Sequence, residues 1–118
     1  SGKIINVASV LGLRASPQAL VYCAVKGAVV QMTRVMGLEL GPAGIQVNAI
    51  APGMFDTDMT RAYTKDKTEA MEAYLARIPN KRIGQPEELA GLVILLASKA
   101  SDHMIGQTVV IDGGESLV

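Results

Sequence analysis

The run Lys3-Ile4-Ile5-Asn6-Val7-Ala8, bounded by Gly2 and Ser9, constrains the fold of this chain most strongly. It is apolar and largely β-branched, broken only at Asn6, so it reads as a strand buried on both faces, which suits a parallel sheet. A second β-rich run covers residues 45–50 and is closed by Ala51-Pro52-Gly53. A third covers 107–111 and ends at Asp112-Gly113-Gly114. Between the first two, residues 19–40 carry apolar side chains at 21, 25, 28, 29, 32, 35, 36 and 40, which is helical spacing, and Gly41-Pro42 stops the helix. Ala24, Val30 and Leu38 fall outside its main apolar face, so this helix is expected to pack on a sheet and also against a further element, a partner helix being the natural candidate.

Residues 56–82 are polar and Met-rich with weak periodicity, and read as one or two short helices. Pro86-Glu87-Glu88 then places Pro and two acids in a first helical turn, followed by Leu89, Val93, Leu96 and Ala97 at helical spacing. The order strand, helix, strand, helix, strand predicts parallel strands joined by right-handed crossovers, as in half of a doubly wound α/β fold. Three strands would leave the apolar run 3–8 with an unprotected edge, so further strands are expected beside it. The chain also starts without Met, two residues ahead of a strand, and reads as one partial domain of a longer protein.

Composition narrows the function. The 118 residues are 49% hydrophobic, enough for a real core, while eleven basic residues balance eleven acidic ones and only four are aromatic. Neither a basic footprint nor a set of stacking platforms for nucleic acid is present. The single cysteine, Cys23, has no internal disulfide partner, and no apolar run approaches the ~20 residues of a membrane span. A reducing, cytoplasmic setting fits.

The chemistry concentrates in Tyr22 and Lys26, with Ser9 upstream. One helical turn separates Tyr from Lys, so both leave the same helix face. An ammonium about 4 Å from a phenol, at an effective dielectric of ~20, favours the phenolate by roughly 4 kcal/mol, which makes such a phenol a proton-transfer group near neutral pH. Read alone, the pair also fits two side chains snorkelling at a surface, Ser9 fits a strand-end cap, and Thr57 fits a helix N-cap. Cys23 fits packing better than redox chemistry, and His103 stands without the clustered Cys or His of a metal site, so no metal ligands are assigned. Asn48 reads as a structural hydrogen-bonder.

Several motifs together resemble a known family. Asn6-Val7-Ala8-Ser9, Tyr22-x-x-x-Lys26, Val47-Asn48-x-Ile50-x-Pro52-Gly53 with Thr57 beyond, Arg82-Ile83-Gly84-x-Pro86-Glu87-Glu88 and Asp112-Gly113-Gly114 are similar, in order and over the whole chain, to the second half of short-chain dehydrogenases/reductases. The flavour is that of 3-oxoacyl carrier-protein reductases and gluconate or other sugar-acid dehydrogenases. The resemblance implies a Rossmann-like sheet, NAD or NADP as cofactor, a small alcohol or carbonyl substrate and a homo-oligomer, dimer or tetramer. It implies Tyr22 as catalytic acid/base, Lys26 as the group that tunes it and holds the nicotinamide ribose, and Ser9 as the residue orienting the substrate oxygen. Pro52, Gly53, Phe55 and Thr57 match the segment along the nicotinamide and phosphate end, and residues 54–85 match a lid over substrate. The glycine-rich phosphate turn and the residue that selects NAD or NADP belong to the family's first half, which is absent here. Two other readings stand beside it. One is a non-catalytic assembly piece that needs a complementary half. The other, a Ser9–Lys26 hydrolase, is disfavoured by the lack of a Gly-x-Ser-x-Gly elbow or Ser-x-x-Lys spacing.

Overall fold

A computed structural model describes residues 1–118. Three parallel strands, β1 (Gly2–Val7), β2 (Ile45–Pro52) and β3 (Thr108–Ile111), form a sheet in the order β1-β2-β3. The connections carry α1 (Leu20–Leu40), the short helices α2 (Asp58–Thr64) and α3 (Thr68–Arg77), and α4 (Ala90–Ala97). The α/β alternation follows the sequence pattern. Register pairs Ile4 with Val47 and Asn6 with Ala49, then Ala49 with Thr108 and Pro52 with Ile111. The second strand runs on through Pro52, two residues past its β-rich stretch, because β3 continues to pair with it there.

The core sits on β2, where Val47, Asn48, Ala49, Ile50 and Ala51 are all buried. On one face α1 packs through Val30 against Ala8 and Ala49, with Val29 alongside. Asn6, the polar break in the first run, has a local purpose: its Nδ2 donates to Thr33 Oγ1 at 3.0 Å, and Thr33, fully buried on α1, donates in turn to the Val29 carbonyl at 2.8 Å. A paired amide therefore replaces an apolar side chain without leaving a buried polar atom unsatisfied. Asn48 closes the other side, donating to the Met104 carbonyl at 2.8 Å and accepting from the Gln107 N–H at 2.9 Å, which fixes the turn into β3.

One expectation needs correction. The first strand is not buried on both faces: it lies at the sheet edge and is half-buried, with Val7 56% exposed, because strand order puts β2 in the centre. The helix start at Pro86 stands as expected, its first turn being 3-10 (Pro86–Leu89) with Glu87 and Glu88 in it and running on into α4, and the Glu88 carboxylate accepts from the Gln85 N–H at 2.7 Å. Apolar faces remain uncovered on α1 (Leu20, Val21, Val25, Met32, Val35, Leu38) and on α4 (Val93, Ile94, Leu95), although α4 is apolar all round. No helix is long and apolar enough to cross a membrane.

Candidate active site

A cleft of about 230 Å³ opens at the carboxyl ends of β1 and β2 and is lined by Ser9, Tyr22, Lys26, Pro52, Gly53, Phe55 and Thr57. All seven residues singled out in the sequence thus meet in one place. Val7, Ala8, Met59 and Leu89 complete the lining. Val7 and Ala8 belong to the Asn6-Val7-Ala8-Ser9 motif, while Met59 and Leu89 carry no site signal in the sequence, since single apolar residues look like core. The position itself is where ligands of open α/β sheets sit.

Ser9 leaves the end of β1 in an extended conformation, and its Oγ accepts from the Leu11 N–H at 3.2 Å, capping the 3-10 turn Val10–Gly12. Capping uses a lone pair of Oγ and leaves the hydroxyl hydrogen free to donate, so the cap and a substrate contact are compatible. Gly12 decides where this turn lies. A Cβ at Gly12 would stand 2.6 Å from the Lys26 carbonyl oxygen, so only glycine lets the Ser9 turn rest directly on the helix turn that carries Lys26.

Tyr22 and Lys26 leave the first turns of α1 on the same side. Tyr22 is 41% exposed in the cleft mouth, and the Lys26 ammonium lies 5.8 Å from its ring centroid. The ammonium does not touch the phenol oxygen; it donates to the Val7 carbonyl at the end of β1, at 3.1 Å. The longer lysine chain passes the tyrosine ring and reaches the strand end, which ties α1 to β1 and keeps two further N–H donors beside the cleft. Lys26 is the only charged residue in the lining, so the cleft favours electron-rich ligands.

The floor comes from the turn after β2. Gly53 donates to the Ile111 carbonyl at 3.0 Å, and a Cβ there would lie 2.8 Å from Asp112 Cβ and 3.0 Å from Glu115 Oε2, so the turn after β3 presses directly on it. Asp112 organises that second turn by accepting from the Gly114 and Ser116 N–H groups at 2.9 and 2.7 Å. Desolvation pushes the Asp112 carboxyl up, but the bonds from Ser116 and Gly114 and the nearby Arg14 outweigh it and leave the group below its ordinary value.

Phe55 is buried and bridged to Gly84, with the Gly84 N–H on the Met54 carbonyl and the Asp56 N–H on the Gly84 carbonyl. It lines both the cleft and a smaller cavity of about 90 Å³ that Arg82, Glu88 and Asp112 also line. The Arg82 guanidinium bonds both Glu88 oxygens, at 2.6 and 2.7 Å, and with the Gln85 N–H holds that carboxyl down at about 2. Thr57 caps α2 in a reciprocal box with Thr60, so its side chain is committed to the helix start while lining the cleft.

Cys23 is half-buried with Sγ turned towards the Arg14 carbonyl, His103 is exposed, and no group of three or more His, Cys, Asp or Glu is placed to hold a metal ion. Flat apolar walls, hydroxyls and one ammonium fit the nicotinamide and ribose end of a dinucleotide. The pyrophosphate end has no seat here, since β1 continues into Ala8-Ser9-Val10-Leu11-Gly12 and not into a glycine-rich turn.

Comparison with known proteins gives the family and the fold. The family model described as enoyl-(acyl carrier protein) reductase matches residues 1–116. The 5-keto-D-gluconate 5-reductase of Escherichia coli is 45% identical over 115 residues, which is 97% of this chain and 44% of that protein. A 3-oxoacyl-(acyl-carrier-protein) reductase of Thermotoga maritima is 43% identical over 114 residues, 97% of this chain and 45% of the relative. Among solved structures, a gluconate 5-dehydrogenase from Burkholderia cenocepacia, in complex with NADP and tartrate, superposes with a TM-score of 0.94 at 43% identity, covering 99% of this chain and 46% of that one. The chain therefore spans just under half the length of the relatives it matches. With its parallel sheet and collinear motifs, it belongs to the short-chain dehydrogenase/reductase family.

Proposed function

We propose that this chain is the catalytic half of an NAD(P)-dependent oxidoreductase that interconverts a secondary alcohol and a carbonyl on a small polar or acyl substrate. The observation that carries the reading is the convergence of Ser9, Tyr22 and Lys26 with Pro52, Gly53, Phe55 and Thr57 on one cleft. NAD or NADP, when bound, supplies or accepts the hydride. The chain's own residues do the rest. Ser9 donates its hydroxyl hydrogen to the substrate oxygen and orients it. Tyr22 gives that oxygen a proton during reduction and takes one during oxidation, from the mouth of the cleft. Lys26, anchored on Val7, offers its remaining donors to ribose hydroxyls. Pro52, Gly53 and Phe55 give the nicotinamide an apolar face, and α2 and α3 act as a lid over it.

The pyrophosphate cradle and the choice between NAD and NADP fall to a preceding dinucleotide-binding half, which would pair with the open edge of β1. The uncovered apolar faces of α1 and α4 support burial against that half and against further copies of the protein, as a dimer or tetramer. The same faces favour a second reading, in which the chain alone is an inactive assembly piece. Titration of NADPH and NADH against the isolated 118 residues separates the two: absence of saturable binding fits an incomplete site, and tight binding contradicts it. The test of the chemistry is Tyr22→Phe in the complete protein. Turnover falls by roughly 10²–10⁴-fold with cofactor affinity retained, as for loss of a general acid, whereas undiminished turnover refutes the assignment.

A further inference from the structure

The lid is tied to the rest of the molecule at one polar point. Neither α2 nor α3 buries a single residue. Every hydrogen bond and ion pair made by residues 58–77 stays within five positions along the chain, such as Thr60 to the Phe55 carbonyl or Arg61 to Asp56, with one exception. That exception is Tyr74, whose Oη donates to Glu115 Oε2 at 2.7 Å across 41 positions.

Glu115 is built to receive it. The turn after β3 passes through Gly113 and Gly114, both at positive φ, and Asp112 caps it, so the Glu115 backbone has one well-defined course. Arg14, from the loop after Ser9, donates to the Glu115 carbonyl at 2.6 Å. The carboxylate itself lies over Gly53, 3.0 Å from where a Cβ would stand. Glu115 thus touches the Ser9 loop, the cleft floor and the lid helix at once. Just past α3 the chain is fixed by buried Ile78, by Pro79 packed on Gly114 and by the Asn80 N–H on the Gly113 carbonyl at 3.0 Å. The segment 58–77 is therefore pivoted at 78–80, and Tyr74 holds it one helical turn before the pivot. Burial, together with the neighbouring carboxylate, pushes the Tyr74 phenol well above its ordinary value, so it stays a donor throughout the working pH range.

We infer that the Tyr74–Glu115 hydrogen bond is a latch holding α2 and α3 over the cleft, which makes Tyr74 and Glu115 positioning residues for substrate binding. The inference rests on the oxidoreductase reading for its kinetic consequence and on geometry alone for its structural one. The test pairs the two in the complete protein. In Tyr74→Phe, which keeps the ring and removes the donor, trypsin cleavage within 61–67 accelerates about tenfold, the scale of one charge-assisted hydrogen bond. The substrate KM rises roughly tenfold while kcat changes less than about twofold. Glu115→Ala matches it, the double variant is no worse than either single one, and Glu115→Gln, which keeps an acceptor, restores near-parental cleavage and KM. Parental cleavage and KM in Tyr74→Phe overturn the latch, as do losses that add in the double variant. The cleavage arm decides the latch even in a protein without reductase activity, and an inactive but normally cleaved Tyr22→Phe leaves it standing.

Discussion

The β2 strand and the α2–α3 segment, which meet at the cleft through Pro52 and Met59, are held in opposite ways. From Val47 to Ala51 every residue of β2 is buried, and both strand edges are paired. No residue of 58–77 is fully buried, Met71, Tyr74 and Leu75 are half-buried, and the segment reaches the rest of the fold through one long-range side-chain hydrogen bond. On the proposed reading the difference separates two tasks: the groups that hold an oxygen and a proton sit on or beside the rigid sheet, while the proposed lid is drawn from the least anchored segment.

Substitutions on each side of the cleft test this division. Leu96→Ala, at a site 1% exposed beneath the sheet, should cost about 2–5 kcal/mol in denaturant unfolding, because a cavity replaces a packed side chain. Gly12→Ala should cost less stability, about 1–3 kcal/mol, yet reduce turnover of the complete protein by roughly 10²-fold, since it pushes the Ser9 turn off the Lys26 carbonyl. Equal turnover in that variant would show that the close approach does not position the site.

Acid provides a milder probe. Arg82 and the Gln85 N–H hold the Glu88 carboxyl at about 2, down from 4.5, so its stabilising contribution is complete above pH 4.5 and fades as pH falls towards 2. Glu88→Gln should be slightly less stable than the parent above pH 4.5 and converge with it as pH falls towards 2, which flattens the acid limb of thermal stability. Last in size, Met59→Ala on the 69% exposed lid residue should shift unfolding free energy by no more than about 0.5 kcal/mol. A core-sized loss there would erase the contrast between the two regions.

The strands, α1 and the two short helices of the 56–82 stretch were legible in the sequence, and the long-range contacts that place them were not. Continuous β-branched runs mark strands, and the 3.6 period of residues 19–40 marks α1, because burial dictates those residue types locally. Which strand lies in the centre is decided by pairing between distant segments, and the apolar run of β1 pointed to further strands beside the edge that it forms in this sheet. Ser9, Tyr22, Lys26, Pro52, Gly53, Phe55 and Thr57 were singled out together through the family resemblance, and the structure brings them to one cleft. Tyr74 and Glu115 lie 41 positions apart in segments without periodicity, and nothing local announces their contact. The 5.8 Å separation of Lys26 from the Tyr22 ring, and the anchoring of its ammonium on Val7, likewise depend on where β1 ends relative to α1.

The central claim, that this cleft seats the nicotinamide end of the cofactor beside Tyr22, is tested most directly by amide hydrogen exchange of the complete protein with and without NADPH or NADH. The account predicts slower exchange at residues 7–12, 22–27 and 52–57 on cofactor binding, with α2 and α3 gaining protection and the Lys99–Ser101 turn unchanged. Binding that leaves residues 52–57 unprotected, or that centres protection on the turn at 99–106, would contradict it.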